Sequence, residues 1–295
     1  MKSNHFMNLK KQKMNTIIKP LLFLFLILSQ LSASAQNKND KIQQVEENLT
    51  GIIAIKGATP WTLKERMAFY HIPGLSIAVI QNYKIAWAKG YGIADDSLKA
   101  PVTASTLFQA GSISKTLNAI AALKLAQDHR LDLNADINNY LIHWKFPYDS
   151  IANGKKITMM NLLSHTAGIN LHGFPGYKTG MPIPALQQIL SGAGPANTPA
   201  VRSQKEPGKM FRYSGGGIMV SQMLIMDITG RSYTDYLTNT ILRPLGMNNS
   251  AYELPGTLTF AAGHNNDGLQ IPGKYYRYPE LAAAGLWTTP TDLAK

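Results

Sequence analysis

Ser112 and Lys115, in the run Phe108-Gln-Ala-Gly-Ser-Ile-Ser-Lys-Thr116, precede a stretch so apolar that the helix it forms belongs inside the protein. Three positions apart, the two side chains fall on one face of a helix about one turn from each other, so the amine can reach the hydroxyl. Downstream, Leu117, Ile120, Ala121, Leu123 and Leu125 leave almost no polar face. That pattern predicts a helix packed on all sides rather than a surface helix with one buried stripe, and further layers have to surround it. Burial also bears on chemistry. Desolvation lowers a lysine's pKa toward neutrality, and a neutral amine can take the proton of a serine hydroxyl attacking a carbonyl. The helix N-terminus at Gly111-Ser112 adds positive partial charge where the oxyanion would form. The purely structural alternative is an N-cap serine followed by a lysine that snorkels to water.

The Ser-x-x-Lys spacing is common by chance, so the rest of the chain decides between these readings. A second element lies downstream, Pro207-Gly-Lys-Met-Phe-Arg-Tyr213-Ser214-Gly215-Gly-Gly217. Around the two stand further blocks: His71-Ile-Pro-Gly-Leu-Ser-Ile-Ala-Val-Ile80, Lys89-Gly-Tyr-Gly-Ile-Ala94, Ile157-Thr-Met-Met-Asn-Leu-Leu-Ser-His-Thr-Ala-Gly168, Arg243-Pro-Leu-Gly-Met247 and Ala283-Ala-Gly-Leu-Trp-Thr-Thr-Pro-Thr-Asp-Leu293. In this order they resemble the class C β-lactamase-related, penicillin-binding-protein-like serine hydrolases, a family that includes D-alanyl-D-alanine carboxypeptidases and esterases. The resemblance runs from about Gln43 to Lys295.

The resemblance implies an α+β fold of the serine β-lactamase/penicillin-binding-protein type, an antiparallel sheet with helices plus an inserted helical region, with the active site where the two meet. It assigns Ser112 as nucleophile, Lys115 as general base and Tyr213 as proton relay, against the structural reading of Tyr213 as a core tyrosine with one satisfied hydroxyl. It implies no metal and no organic cofactor. The substrate it implies is a small-molecule ester or amide or a peptidoglycan-type D-alanyl peptide. Relatives commonly carry Asn at the third position of the Tyr box, where its amide contacts the lysine and an acylamide substrate. Gly215 stands there in this chain, which weighs against β-lactam hydrolysis more than against ester hydrolysis. His165 reads as a structural hydrogen-bonding residue, since the family has its base in Lys and Tyr, and Asp132 and Asp136 read as turn and cap residues. Lys178-Thr179-Gly180 imitates a family box that normally follows the Tyr box, but it precedes Tyr213 in a Gly/Pro-rich loop and reads as coincidence.

Residues 1–35 read as an export signal. Lys2, Lys10, Lys11, Lys13 and Lys19 form a basic region, Leu21–Leu28 an apolar one, and Ala33-Ser34-Ala35 a small-residue cleavage site, so the mature N-terminus falls at Gln36. The apolar run is short for a bilayer span, so no stable membrane span remains after cleavage and the location is periplasmic or extracellular. Taking those five lysines from the 29 basic residues leaves 24 against 17 acidic ones. The surplus is scattered, without a dense tract or aromatic interleaving, which gives a nucleic-acid partner little support. The chain has no cysteine, which rules out disulfides and thiol catalysis, and its histidines lack zinc-hydrolase spacing.

Along the mature chain, amphipathic segments fall near 41–49 and 61–70. A hairpin follows at Leu75–Gln81 and Lys84–Tyr91, then a helix-dominated middle with helices at Ile218–Thr229 and Tyr233–Leu242. Residues 36–295 read as one domain. Family members continue past Leu293 through more strands and a third box, so the domain reads as incomplete, lacking its C-terminal strands. Two functions follow: an acyl-enzyme hydrolase, or a catalytically impaired remnant that binds cell-wall peptide in the same cleft.

Overall fold

The structure, a computed structural model, describes residues 39–51, 53, 55–254, 256 and 259–295. The expected export signal over residues 1–35 lies outside the described residues. Two compact units divide the chain at Ile72/Pro73.

The first unit holds a helix over residues 39–47, α1, and a second, α2, at Leu63–Phe69. Both fall where the amphipathic segments predict them. Thr62 starts α2 with a capping box: its hydroxyl accepts from Glu65 N–H while Glu65 returns a bond to Thr62 N–H, satisfying two amides that a helix start leaves open. Leu49 and Trp61 pair through reciprocal backbone bonds of 2.9 and 3.1 Å, bringing the ends of the intervening segment together.

In the second unit the expected hairpin forms. Strand β1, Gly74–Gln81, pairs antiparallel with β2, Lys84–Asp95, and β3, Ala100–Pro101, adds to β2. Asn82 and Tyr83 both take positive φ, near 51° and 58°, as a two-residue turn with the twist of its flanking strands demands. Gly90 is required for a different reason, because a Cβ there would sit 2.3 Å from the carbonyl oxygen of Val102. A second small ladder joins β4, Phe108–Gln109, to β5, Trp287–Thr288.

Helices make up most of the rest: α3 at Ser114–Gln127, α4 at Met159–Leu163, α5 at Leu186–Ser191, α6 at Gly215–Thr229, α7 at Tyr233–Leu237, α8 at Leu281–Ala284 and α9 at Pro290–Leu293. The α6 helix is the centre of the core. Every residue from Gly215 to Ile225 is buried, Ser214 caps the start through its hydroxyl to Gly217 N–H at 2.9 Å, and Gly230 ends it in the left-handed region. Full burial of each Ile, Leu or Met in that run contributes about 1.5–3 kcal/mol. The helix expected over 233–242 is α7 running into a π-helical turn, Thr238–Leu242. Asp132 and Asp136 are turn and cap residues as expected, accepting from Asn134 N–H at 2.8 Å and Asn138 N–H at 3.0 Å.

The surrounding of α3 differs from expectation. Its inner face buries Leu117, Ala121, Ala122 and Leu125, but Ile120 is 38% and Leu123 50% exposed. Thr116, Ile120, Leu123 and Gln127 recur at helical spacing and line one outward stripe. Apolar content alone does not say which way a residue faces. The buried side instead carries a polar residue, Asn118, whose Nδ2 donates to Ser221 Oγ at 2.9 Å and whose Oδ1 accepts from Tyr233 OH at 3.2 Å.

Candidate active site

Strand β4 delivers the chain to the site. Gly111, with φ near +50°, turns it out of the strand into a 3-10 turn, Gly111–Ile113, that runs directly into α3. The helical segment therefore begins at Gly111, as the sequence implies, but its first turn is the tighter 3-10 form. Ser114, fully buried, locks this entry: its hydroxyl donates to Gly111 O at 2.6 Å and accepts from Leu286 N–H at 3.0 Å, while Ala110 N–H donates to Leu286 O at 2.8 Å. Ser112 is left exposed with its amide in the first turn, where N–H groups have no acceptor within the helix.

The expected site residues Ser112, Lys115 and Tyr213 meet. Lys115 Nζ lies 3.0 Å from Ser112 Oγ, and Tyr213 OH lies 2.9 Å from the same oxygen. Lys115 also donates to Ala283 O at 2.7 Å and stands 5.1 Å above the Tyr213 ring. Burial works to raise the Tyr213 pKa, but hydrogen bonds to Lys115 and Ser112, with the Lys115 charge, outweigh it and hold the phenol below the ordinary tyrosine value.

Two histidines flank Tyr213, with ring centroids 4.4 Å away for His165 and 4.9 Å for His172. His165 Nδ1 accepts from Ser214 N–H at 3.2 Å, and its backbone carbonyl accepts from Arg212 N–H at 2.7 Å, so His165 pins both neighbours of Tyr213. Burial, and then the nearby Lys115 charge, lower its pKa, which suits a neutral ring accepting that amide. This is the structural role expected of His165.

The cluster opens into a cavity of about 730 Å³ whose walls include Gln109, His172, Phe174, Phe211, Tyr213, Tyr278 and Ala283. Gly215 lies on this wall, and a Cβ there would meet Phe174 Cε2 at 2.9 Å and His172 O at 3.1 Å. The aromatic ring of Phe174 fills the space beside the third position of the Tyr box. Lys178-Thr179-Gly180 lies in a turn after Tyr177 and contributes nothing to this wall. Sequence reasoning missed the Ala283 carbonyl that fixes Lys115, and His172 and Phe174. The Ala283 block is legible as a motif, but a backbone oxygen leaves no residue-type signature.

A family model described as Beta-lactamase matches residues 62–295. "Protein flp" of Staphylococcus aureus (strain NCTC 8325 / PS 47) is 30% identical over 228 residues, 75% of this chain and 42% of that protein. "Putative penicillin-binding protein PbpX" of Bacillus subtilis (strain 168) is 31% identical over 175 residues, 59% of this chain and 40% of that protein. The chain thus spans less than half the length of these relatives. Among solved structures, the octameric penicillin-binding protein homologue from Pyrococcus abyssi superposes with a TM-score of 0.65 at 28% identity, over 79% of this chain and 53% of that one. A class C β-lactamase superposes with a TM-score of 0.60 at 27% identity, over 78% and 60%. The fold is therefore the α+β serine β-lactamase/penicillin-binding-protein fold, and the chain belongs to the beta-lactamase family.

Proposed function

We propose that this protein is an exported serine hydrolase that works through an acyl-enzyme on an ester, amide or D-alanyl peptide. The single observation that carries the reading is the convergence of Lys115 Nζ and Tyr213 OH on Ser112 Oγ, at 3.0 and 2.9 Å.

In this mechanism Lys115 departs from the general-base role that the resemblance implies: it keeps its charge and stabilises Tyr213 as a phenolate, and the phenolate takes the Ser112 proton as Oγ bonds to the substrate carbonyl carbon. The oxyanion forms beside Ser112 N–H. Collapse breaks the bond to the leaving group, which takes the proton back from Tyr213, and Ser112 keeps the acyl group. Water then gives a proton to the same phenolate as its oxygen bonds to the acyl carbon, and collapse breaks the bond to Ser112 Oγ, which takes that proton back from Tyr213 as the acid departs. Lys115, fixed by Ala283 O, holds the charge balance in place through both halves.

Two features bear on the substrate. Gly215 offers no side-chain amide to an acylamide, and Phe174 occupies the adjacent space, which favours esters over β-lactams. A relative named as a penicillin-binding protein supports a peptidoglycan-type peptide as an alternative substrate. Export rests on residues 1–35, with Gln36 as mature N-terminus.

A fluorophosphonate probe tests the reading. Labelling lost in Ser112→Ala is expected. An unlabelled but folded protein would instead leave the same cleft as a binding site for cell-wall peptide without turnover.

A further inference from the structure

Glu280 immediately precedes α8. It is fully buried, and among the described residues neither of its carboxyl oxygens has a hydrogen-bond partner. A buried carboxylate in that state is strongly disfavoured, so its presence calls for a physical account. The residue is tied to the nucleophile through one short turn of backbone. Glu280 O accepts from Ala283 N–H at 3.1 Å and from Ala284 N–H at 2.9 Å, closing the α8 turn, and Ala283 O holds Lys115 Nζ at 2.7 Å.

Helix α6 fixes that turn on both sides of Glu280 in the chain. Gln222, from α6, accepts from Ala282 N–H at 2.8 Å and reaches Pro279 O at 3.5 Å. The titratable groups facing Glu280 are Tyr177, from the segment before α5, and Tyr278, two residues ahead of it. Burial first, and then the Glu280 charge, push both phenols up. Lys115, from α3, spends its bonds on Ser112 Oγ and Ala283 O. Gln222 of α6 is neutral. Among the described residues no cation pairs with the carboxyl, and burial raises its pKa to about 7, opposed only by its own backbone N–H.

We propose that Glu280 is a positioning residue: uncharged, it lets the α8 turn hold the Ala283 carbonyl against Lys115, and once ionised it pulls the turn toward water and withdraws Lys115 from Ser112. The inference rests on the Ser112 reading above. Its consequence is a falling alkaline limb in acylation, opposite to the rise that deprotonation of Tyr213 produces.

The test is the fluorophosphonate labelling rate of the full chain across pH 5.5–9, wild type beside Glu280→Gln. The wild-type rate is expected to peak near neutrality and fall about tenfold by the alkaline end, while the neutral isostere keeps rising over the same range. Glu280→Met, uncharged and of similar length, supplies the same comparison should the glutamine variant not fold. A falling limb that persists in the uncharged variant, or its absence from the wild type, overturns the proposal. A folded wild type that is unlabelled at every pH overturns the Ser112 reading instead, so the two failures are distinguishable.

Discussion

Tyr213 and Ser112 lie 101 positions apart in the chain, yet the phenol oxygen of one stands 2.9 Å from the hydroxyl oxygen of the other. Two separate anchors create that contact: Ser114 fixes the entry of α3, and His165 fixes the backbone on either side of Tyr213. Tyr213→Phe keeps the ring and its packing but removes the hydroxyl that the proposed mechanism uses as proton acceptor. Acylation by a p-nitrophenyl ester is expected to slow by about 10²–10⁴-fold, the usual scale of a lost general base, measured as kcat/KM under steady-state conditions. A change of less than threefold would remove Tyr213 from the proton path.

His165→Phe separates positioning from chemistry. The ring stack on Tyr213 survives, while Ser214 N–H loses its acceptor. Probe labelling of Ser112 is expected to continue, with kcat/KM down by about tenfold, the scale of roughly 1.4 kcal/mol of misplacement. Labelling abolished as fully as in Ser112→Ala would make His165 the base.

The pairing of Asn118 with Ser221 and Tyr233 is a stability feature. Asn118→Ala leaves two buried hydroxyls without their amide partner, a loss of about 2–3 kcal/mol. Urea denaturation at neutral pH measures it, and a loss below half a kilocalorie would mean that the two hydroxyls find other partners.

Glu280 also predicts a pH dependence of folding. Its pKa is raised from 4.5 to about 7, so between those values the folded state binds more protons than the unfolded state. Stability is therefore fully present below pH 4.5 and falls as pH rises through about 7, by an amount on the order of 3 kcal/mol. For a protein of this size that corresponds to a drop of roughly 6–12 °C in Tm, read by calorimetry, and Glu280→Gln is expected to abolish it. Equal pH profiles for the two proteins would show that Glu280 is not buried as a neutral acid.

Substrate preference follows from Gly215. Short p-nitrophenyl esters are expected to exceed a chromogenic cephalosporin in kcat/KM by about 10²-fold, the scale of one missing transition-state donor. Efficient cephalosporin turnover would count against that assignment.

The hairpin, the α6 boundaries near Gly230, and the Ser112–Lys115–Tyr213 set are legible in the sequence because each leaves a residue-type signature. Strand alternation around Asn82-Tyr83, a left-handed glycine and an ordered set of motif blocks are all local patterns. The outward stripe of Ile120 and Leu123 is not legible, because hydrophobicity fixes a preference for burial while tertiary packing fixes which face obtains it. Ala283 O is silent for a related reason, since any residue supplies a carbonyl. Glu280 looks in sequence like a loop carboxylate, and only its enclosure between α6 and the Tyr177 segment makes it unusual.

Intact mass spectrometry of the chain, acid-quenched during turnover of p-nitrophenyl butyrate, tests the central claim most directly. One butyryl addition is predicted, mapped by peptide digestion to Ser112, absent from Ser112→Ala and slower to accumulate in Lys115→Ala. Turnover that leaves no adduct, or an adduct on any other residue, would contradict it.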